Sequence, residues 1–201
     1  MLPETTALIL VGYQKDYFDP DGLLYSTVEE TFNVTHILQN TYQLIKGLPR
    51  STTVVATPIN FTPDYSELVN PVGVLKRIRD LGALQAGSIG SQPLAELEEF
   101  SDEIVVLPGK RGFNAFAHTN LDVILRERNI THVLVAGAIT SLCIDSTGRA
   151  AHELGYRVSI ISDCTAARTN FEQQFYCETV FPAYADVLMS TDVLSQFAVE
   201  V

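Results

Sequence analysis

The sequence predicts an α/β fold in which helices cover both faces of a mainly parallel sheet. Two observations support this prediction. Apolar runs of strand length alternate with helical patterns along the chain, and these runs are continuously apolar instead of alternating with polar residues. Continuous apolar runs are typical of strands that are buried on both faces, as in parallel sheets. A repeated order of strand, helix and strand therefore favours an α/β/α sandwich.

Six segments are predicted as strands: residues 6–12, 52–58, 103–109, 132–137, 157–162 and 186–190. Between the first two, apolar residues from Val34 to Leu48 repeat every three or four positions and form one face of a helix. Further helices are predicted over 121–128, 142–154 and 170–181. The stretch 58–93 contains four prolines and four glycines, so we interpret it as an irregular excursion with short helices over the active-site edge.

Composition limits the possible classes of protein. A chain of 201 residues that is 46% hydrophobic is predicted to form one domain over 1–201. A net charge of −11 disfavours nucleic acid as a partner, because an acidic surface repels phosphates. The chain has three cysteines, an odd number, and they lack the regular spacing of a disulfide framework. We therefore expect no disulfides and a cytoplasmic location. No apolar run is long enough to span a membrane, so we expect no membrane association.

Cys143 follows the predicted strand 132–137 and a short loop, where a helix begins. Ligands of parallel α/β sheets bind at the carboxyl ends of the strands. Backbone N–H groups and the helix dipole favour a thiolate there, and the loop 137–140 could present N–H groups to an oxyanion. Cys143 is therefore a candidate nucleophile. The alternative, a buried cysteine that fills the core, stays open on position alone.

Lys110 lies in the loop after the third predicted strand, at the same edge of the sheet. It is flanked by Phe113 and Phe116. An ammonium group in apolar surroundings can stabilise a thiolate or an oxyanion. A solvated loop lysine is the alternative interpretation.

The stretch 109–167 resembles the core of the isochorismatase-like cysteine hydrolases. The residues that match the family pattern are Lys110, Ala115, Phe116, Thr119, Leu121, Gly137, Thr140, Cys143, Thr147 and Ala150. Asn114 departs from the serine that is usual at its position. The segment ALILVGYQKDYF near the N-terminus extends the resemblance over most of the chain.

This resemblance implies a six-stranded parallel sheet with the Rossmann-like order 3-2-1-4-5-6. It implies Cys143 as the nucleophile, Lys110 as its cationic partner, and a cis peptide bond between Ala138 and Ile139. The N–H groups of Ile139 and Cys143 would form the oxyanion hole. Family members usually form dimers or tetramers, so we expect a homodimer or a homotetramer that acts on a small molecule.

One family residue is missing. An aspartate normally ends the first strand and takes the thiol proton, but this chain has Gly12 there, although Gln14, Asp16 and Phe18 keep the pattern. It is open from the sequence whether Asp16, Glu67 or another group takes its place. The substitution Gly12→Asp is expected to raise amidase turnover unless another side chain fills the vacated volume.

The sequence predicts no metal and no cofactor. The nicotinamidase branch of the family has Asp-x-His after the second strand, whereas Ile59 and Phe61 stand at those positions here. The four histidines show no ligand spacing, and there is no dinucleotide or phosphate-binding motif.

Aromatic residues follow several of the predicted strands and suggest an apolar pocket. Predicted substrate contacts are Phe18, Phe61, Phe113, Ala138 and Ile139. Such a pocket suits a small, flat, uncharged amide or similar carbonyl compound.

The favoured function is a cysteine hydrolase that cleaves a C–N bond of a small amide or ureido compound through an acyl-enzyme on Cys143. One alternative is a catalytically weakened or inactive member that binds a small molecule, which Gly12 supports. A second alternative, vinyl-ether hydrolysis of isochorismate, ranks last. By resemblance that reaction needs the aspartate and can dispense with the cysteine.

Overall fold

A six-stranded parallel sheet forms the centre of the computed structural model, which describes residues 1–31 and 36–198. The strands are β1 (Thr6–Val11), β2 (Thr53–Thr57), β3 (Ile104–Val106), β4 (His132–Ala138), β5 (Arg157–Ala166) and β6 (Asp186–Leu188). Their order is β3-β2-β1-β4-β5-β6, and every neighbouring pair is parallel. The predicted fold class and strand order are confirmed.

Helices flank this sheet. The α-helices are α1 (Lys15–Phe18), α2 (Ile37–Gly47), α3 (Gly73–Leu81), α4 (Leu121–Glu127), α5 (Asp145–Glu153), α6 (Asn170–Phe175) and α7 (Ser190–Ala198). A π-helical turn, Thr140–Ile144, leads into α5, and another, Tyr176–Val180, follows α6. Short 3-10 turns cover Pro3–Thr5, Tyr25–Thr27, Ala95–Phe100 and Phe181–Ala183. Val34, where the first helical face was predicted to begin, lies outside the described residues.

The sheet is buried on both faces, and β1 shows this residue by residue. Leu8 and Leu10 belong to one hydrophobic core, which also contains Ile37 of α2 and Val193 of α7. Ile9 points to the opposite face and belongs to a second core, which α4 and α5 cover. Because side chains of a strand alternate between faces, a strand between two cores must be apolar throughout. This is why the strands appear in the sequence as continuous apolar runs.

The excursion 58–93 contains a single α-helix, α3, where several short helices were predicted. The rest is held by backbone hydrogen bonds. Phe61 N–H donates to the carbonyl of Leu84 at 2.9 Å, and Lys15 N–H donates to the carbonyl of Gln92 at 3.1 Å. The second bond joins the end of the excursion to the segment after β1, at the carboxyl edge of the sheet. The excursion therefore borders the candidate site.

Candidate active site

Lys110 and Cys143 meet at the carboxyl edge of the sheet. The Lys110 Nζ atom donates a hydrogen bond to Cys143 Sγ at 3.6 Å, and a second one to the carbonyl oxygen of Gly112. Both side chains are almost fully buried, with exposures of 1% for Lys110 and 3% for Cys143. A buried lysine that contacts a thiol is not a solvated loop residue, so the structure brings together the two groups that the sequence singled out.

The environment of Lys110 lowers the pKa of its ammonium group below the ordinary value. Burial is the main cause, and the hydrogen bond and charge of Cys143 offset part of it. No carboxylate among the described residues forms an ion pair with Lys110. The lysine can therefore exchange a proton with the thiol more easily than an exposed lysine could.

Gln14 fixes the position of Lys110 through the segment after β2. The side-chain amide of Gln14 donates to the carbonyl of Ile59 at 2.8 Å, and the N–H of Ile59 donates back to Gln14 Oε1 at 2.8 Å. Ile59 in turn forms an isolated parallel bridge with Lys110. The glutamine of the N-terminal motif is thus a structural link between β1 and the lysine loop.

The lysine loop is also tied to the helix that carries Cys143. The N–H of Ala115 donates to the hydroxyl of Thr147 in α5 at 3.0 Å, and the hydroxyl of Thr119 donates to the carbonyl of Ala115 at 2.6 Å. These three residues belong to the family pattern quoted from the sequence. Their hydrogen bonds explain that pattern, because they hold the loop of Lys110 at a constant distance from α5.

The segment before Cys143 is shaped by Gly137 and by a cis peptide bond. A Cβ on Gly137 would lie 1.9 Å from the carbonyl oxygen of Val11, so only glycine allows this approach of β4 to β1. The peptide bond between Ala138 and Ile139 is cis, as the resemblance implied. Cys143 itself lies in the π-helical turn Thr140–Ile144, a type of turn that is frequent at functional sites.

Gln173 of α6 holds this segment from the other side. The hydroxyl of Thr140 donates to Gln173 Oε1 at 2.6 Å. The amide nitrogen of Gln173 donates to the hydroxyl of Thr165 at 2.8 Å and to the carbonyl of Ser162 at 3.0 Å. Gln173 was not predicted as a site residue, because nothing in the sequence spacing connects a helix residue near position 173 with the loop at position 140.

At the position of the missing aspartate, a side chain would lie too close to the neighbouring backbone. Gly12 has a φ of +74°, and a Cβ there would lie 2.9 Å from the carbonyl oxygen of Ala138. The ring of Tyr17 lies 3.8 Å from the same point. The expectation for Gly12→Asp changes for this reason, because a side chain at this position would meet the backbone oxygen of Ala138.

Neither candidate carboxylate replaces the aspartate. Asp16 is buried, and its oxygens accept hydrogen bonds from the N–H groups of Leu84 at 2.6 Å and Leu23 at 3.2 Å. Glu67 accepts from the N–H of Thr62 at 2.9 Å and from the Thr62 hydroxyl at 2.7 Å. Both carboxylates thus stabilise backbone segments, and neither forms an ion pair with Lys110.

An open cavity of about 580 Å³ lies beside the lysine loop. Phe113 and Arg111 line it, and so does Ser146, one helical turn beyond Cys143. Of the other predicted substrate contacts, Phe18 and Phe61 are buried in the core that contains Leu8. Ala138 and Ile139 are buried there too, directly before the turn of Cys143. Substrate contact by these residues stays a prediction.

Comparison with known proteins identifies the family of this chain. The model of the isochorismatase domain matches residues 6–192, which is most of the chain. The chain belongs to the isochorismatase family. Two relatives are 30% identical to it, the ureidoacrylate amidohydrolases RutB of Cronobacter sakazakii and Cronobacter turicensis. The matches cover 96% and 98% of this chain, and 90% and 91% of the relatives.

Solved structures of the family share the fold. A cysteine hydrolase from Pseudomonas syringae pv. phaseolicola superposes with a TM-score of 0.86 at 22% identity, covering 100% of this chain and 96% of that one. The N-carbamoylsarcosine amidase of Thermoplasma acidophilum has a TM-score of 0.71 at 26% identity, with coverages of 92% and 96%. Membership of the isochorismatase family identifies this protein as a hydrolase.

Over residues 1–31 and 36–198, no group of three or more His, Cys, Asp or Glu side chains could hold a metal ion. No helix in this part of the chain is long and apolar enough to cross a membrane. The three cysteines, Cys143, Cys164 and Cys177, are all free thiols.

Proposed function

We propose that this isochorismatase-family member hydrolyses a C–N bond of a small ureido or amide compound through an acyl-enzyme on Cys143. The observation that carries the proposal is the buried contact of 3.6 Å between Cys143 Sγ and Lys110 Nζ. The names of relatives agree with this chemistry, since they include a ureidoacrylate amidohydrolase and an N-carbamoylsarcosine amidase.

Lys110 takes the role of the base in this proposal. Its lowered pKa makes the neutral amine more accessible, so Nζ accepts the thiol proton as Sγ attacks the carbonyl carbon. The C–N bond then breaks, the proton held by Lys110 passes to the leaving nitrogen, and Lys110 becomes neutral again. Water attacks the acyl-enzyme while neutral Lys110 accepts a proton from that water, and this proton passes to Sγ as Cys143 is released.

The developing oxyanion is bound by backbone N–H groups in this proposal. Ile139 follows the cis peptide bond, and Cys143 lies four residues later in the π-helical turn. Donors of this kind stabilise a tetrahedral intermediate because they are already oriented before the reaction begins.

Arg111 suggests that the substrate carries a negative charge. The aromatic residues suit the rest of such a substrate, which would be a small carbonyl compound with apolar parts. Arg111 lines the cavity beside the lysine loop, where its charge acts on Glu67, and no hydrogen bond or ion pair joins it to a residue that the structure describes. Glu67 lines the same cavity and is already hydrogen-bonded to Thr62. A ureido acid would place its carboxylate at Arg111, and Arg111→Met should then raise KM for acids but not for neutral amides.

The second candidate function is small-molecule binding without turnover. It is supported by Gly12, because no carboxylate among the described residues stands beside Lys110. Both candidates use the same cavity and differ only in the reactivity of the thiol.

The test begins with the pH dependence of Cys143 alkylation by iodoacetamide, read by mass spectrometry. Cys177 is an internal control, since burial raises the pKa of its thiol to about 11. We expect Cys143 to react faster than a free model thiol at pH 6.5, and Cys177 to react slowly. Turnover of a panel of ureido acids and amides is then measured, with Cys143→Ala as the inactive variant. Slow alkylation together with no turnover would favour the binding function.

A further inference from the structure

Asn114 departs from the serine of the family pattern, and the structure fixes the orientation of its side-chain amide. The Oδ1 atom accepts a hydrogen bond from the N–H of Phe116 at 2.8 Å. A backbone N–H can only donate, so the amide oxygen must be the atom beside Phe116, and Nδ2 must take the other position. No described residue accepts a hydrogen bond from Nδ2. Asn114 therefore has a free donor.

Asn114 lines the cavity of about 580 Å³ beside the lysine loop, together with Arg111 and Gly112. Gly112 joins this cavity to the reactive pair. Its carbonyl accepts a hydrogen bond from Lys110 Nζ, and Nζ also contacts Cys143 Sγ at 3.6 Å. The wall of the cavity thus touches the lysine that contacts the nucleophile.

Arg111 supplies the cavity with further free donors. Its guanidinium group can only donate, and no hydrogen bond or ion pair joins it to any part of the chain that the structure describes. The hydroxyl of Ser146 and the ring of His118, which also line the cavity, can donate as well as accept. A ligand must then supply acceptors. A carboxylate, with two oxygens, matches the charged donor of Arg111 and the neutral donor of Asn114.

Glu67 also lines this cavity, but its carboxylate is already bonded elsewhere. Its oxygens accept hydrogen bonds from the N–H of Thr62 at 2.9 Å and from the Thr62 hydroxyl at 2.7 Å. The charge of Arg111 acts on Glu67, yet no ion pair joins the two side chains. The donors of Arg111 and Asn114 consequently stay available for a ligand.

We infer that Asn114 is a specificity-determining residue whose Nδ2 donates to the carboxylate of a ureido acid, while Arg111 binds the same carboxylate by charge. This inference deepens the proposed function and rests on it, because it concerns the substrate class of the same site. A neutral compound of the same shape leaves both donors without an acceptor. The preference for the acid over the neutral compound therefore depends on the amide nitrogen of Asn114.

The experiment removes the donor and keeps the hydrogen bond to Phe116. Asn114→Asp retains an oxygen for the Phe116 N–H and replaces Nδ2 with a second, negatively charged oxygen. Asn114→Ser keeps a hydroxyl that can accept from the same N–H. Asn120→Asp adds the same charge at an exposed position outside the cavity lining and is the control.

Each substitution is combined with Cys143→Ala, which prevents turnover, and calorimetry measures the Kd of two compounds. One is N-carbamoyl-β-alanine, and the other is N-propylurea, which has a methyl group in place of the carboxylate. We expect Asn114→Asp to raise the Kd of the acid by at least about 10-fold and Asn114→Ser to raise it by about 3-fold to 10-fold. The Kd of N-propylurea should change much less, and Asn120→Asp should change neither value.

Three results would overturn the role of Asn114: equal changes for the two compounds, no change for the acid, or no binding of the acid by the Cys143→Ala protein. Turnover by the protein with Cys143 intact tests the hydrolase function separately. Binding of the acid that depends on Asn114, without turnover of any ureido compound or amide, would support the carboxylate site and overturn the hydrolase function. Turnover of both compounds with a ratio of kcat/KM that Asn114→Asp leaves unchanged would do the opposite.

Discussion

Gly12 lies directly against the carbonyl of Ala138, so that a Cβ on Gly12 would be 2.9 Å from the Ala138 oxygen. This contact joins the end of β1 to the cis peptide bond that precedes the turn of Cys143. Because of this close approach, replacing Gly12 by a residue with a side chain would require the neighbouring backbone to shift.

The first prediction concerns Gly12→Ala. Gly82 has almost the same backbone, with a φ of +73° compared with +74° at Gly12, but no atom lies within 4 Å of its Cβ position. Gly82→Ala should therefore lower the free energy of unfolding by about 1 kcal/mol through backbone strain alone. Gly12→Ala should cost at least about 1 kcal/mol more, because of the contact with Ala138. Urea unfolding of both variants measures the difference, and equal losses would contradict the contact.

The same geometry changes the expectation for Gly12→Asp. The aspartate would be strained by the positive φ and by the contact with the Ala138 oxygen, so we now expect lower stability and no gain in amidase turnover. Increased turnover would show that the backbone relaxes enough to restore the family arrangement.

The second prediction concerns Lys110→Met, which keeps much of the side-chain volume and removes the amine. If Lys110 is the base, kcat/KM should fall by about 10² to 10⁴-fold, and Cys143 should alkylate more slowly at pH 7. Lys46→Met alters an exposed lysine on α2 and serves as the control. Full activity of Lys110→Met would leave the thiol without an identified proton acceptor.

The third prediction concerns Gln173, which holds Thr140 in the turn before Cys143. Gln173→Leu leaves the buried Thr140 hydroxyl without its acceptor, so the free energy of unfolding should fall by about 1–3 kcal/mol and kcat should fall as well. The neighbouring Gln174→Leu removes only an exposed hydrogen bond to Glu178 and should change neither quantity. Thermal unfolding and steady-state kinetics of Gln173→Leu and Gln174→Leu show whether only the first substitution lowers stability and kcat.

The fourth prediction is a pH dependence of stability that arises at His132. Burial, with a smaller effect of the Arg157 charge, lowers the pKa of this imidazole from 6.5 to about 4. The unfolded chain therefore takes up a proton below about pH 6.5 while the folded protein does not. Stability should fall as the pH falls from 6.5 towards 4, by about 2 kcal/mol at pH 5.

Urea unfolding at pH 7.5 and pH 5 tests this effect. His132→Gln keeps a polar group near the Ser159 hydroxyl, which lies 2.8 Å from His132 Nε2, and should lose less stability on acidification than the wild type. His152→Gln, at an exposed position, should behave like the wild type. Identical pH profiles for all three proteins would contradict the buried neutral imidazole.

The fifth prediction is that chelation leaves activity unchanged. Ile59 and Phe61 stand where one branch of the family has metal ligands, and apolar side chains cannot coordinate a cation. Dialysis against EDTA, followed by the turnover assay and metal analysis, provides the measurement. Activity lost with EDTA and restored by zinc or iron would contradict it.

The sheet could be predicted almost completely from the sequence, but the type and extent of individual helices could not. Burial of both faces makes every strand continuously apolar, and this pattern is visible in one dimension. The helix predicted over 170–181 is in fact α6 followed by a π-helical turn, because local hydrogen bonds decide such changes and hydrophobic spacing does not report them.

The contact between Lys110 and Cys143 could also be predicted from the sequence, since strand ends of a parallel sheet meet at one edge and the spacing of the two residues resembles that of a known family. The surroundings of Gly12 and the hydrogen bonds of the two candidate carboxylates were decided only by the tertiary structure. Asp16 and Glu67 accept hydrogen bonds from backbone N–H groups, and the groups nearest to the Cβ position of Gly12 are the Ala138 carbonyl and the Tyr17 ring. The direction of a side chain depends on contacts between segments far apart in the chain, and sequence spacing carries no information about those contacts.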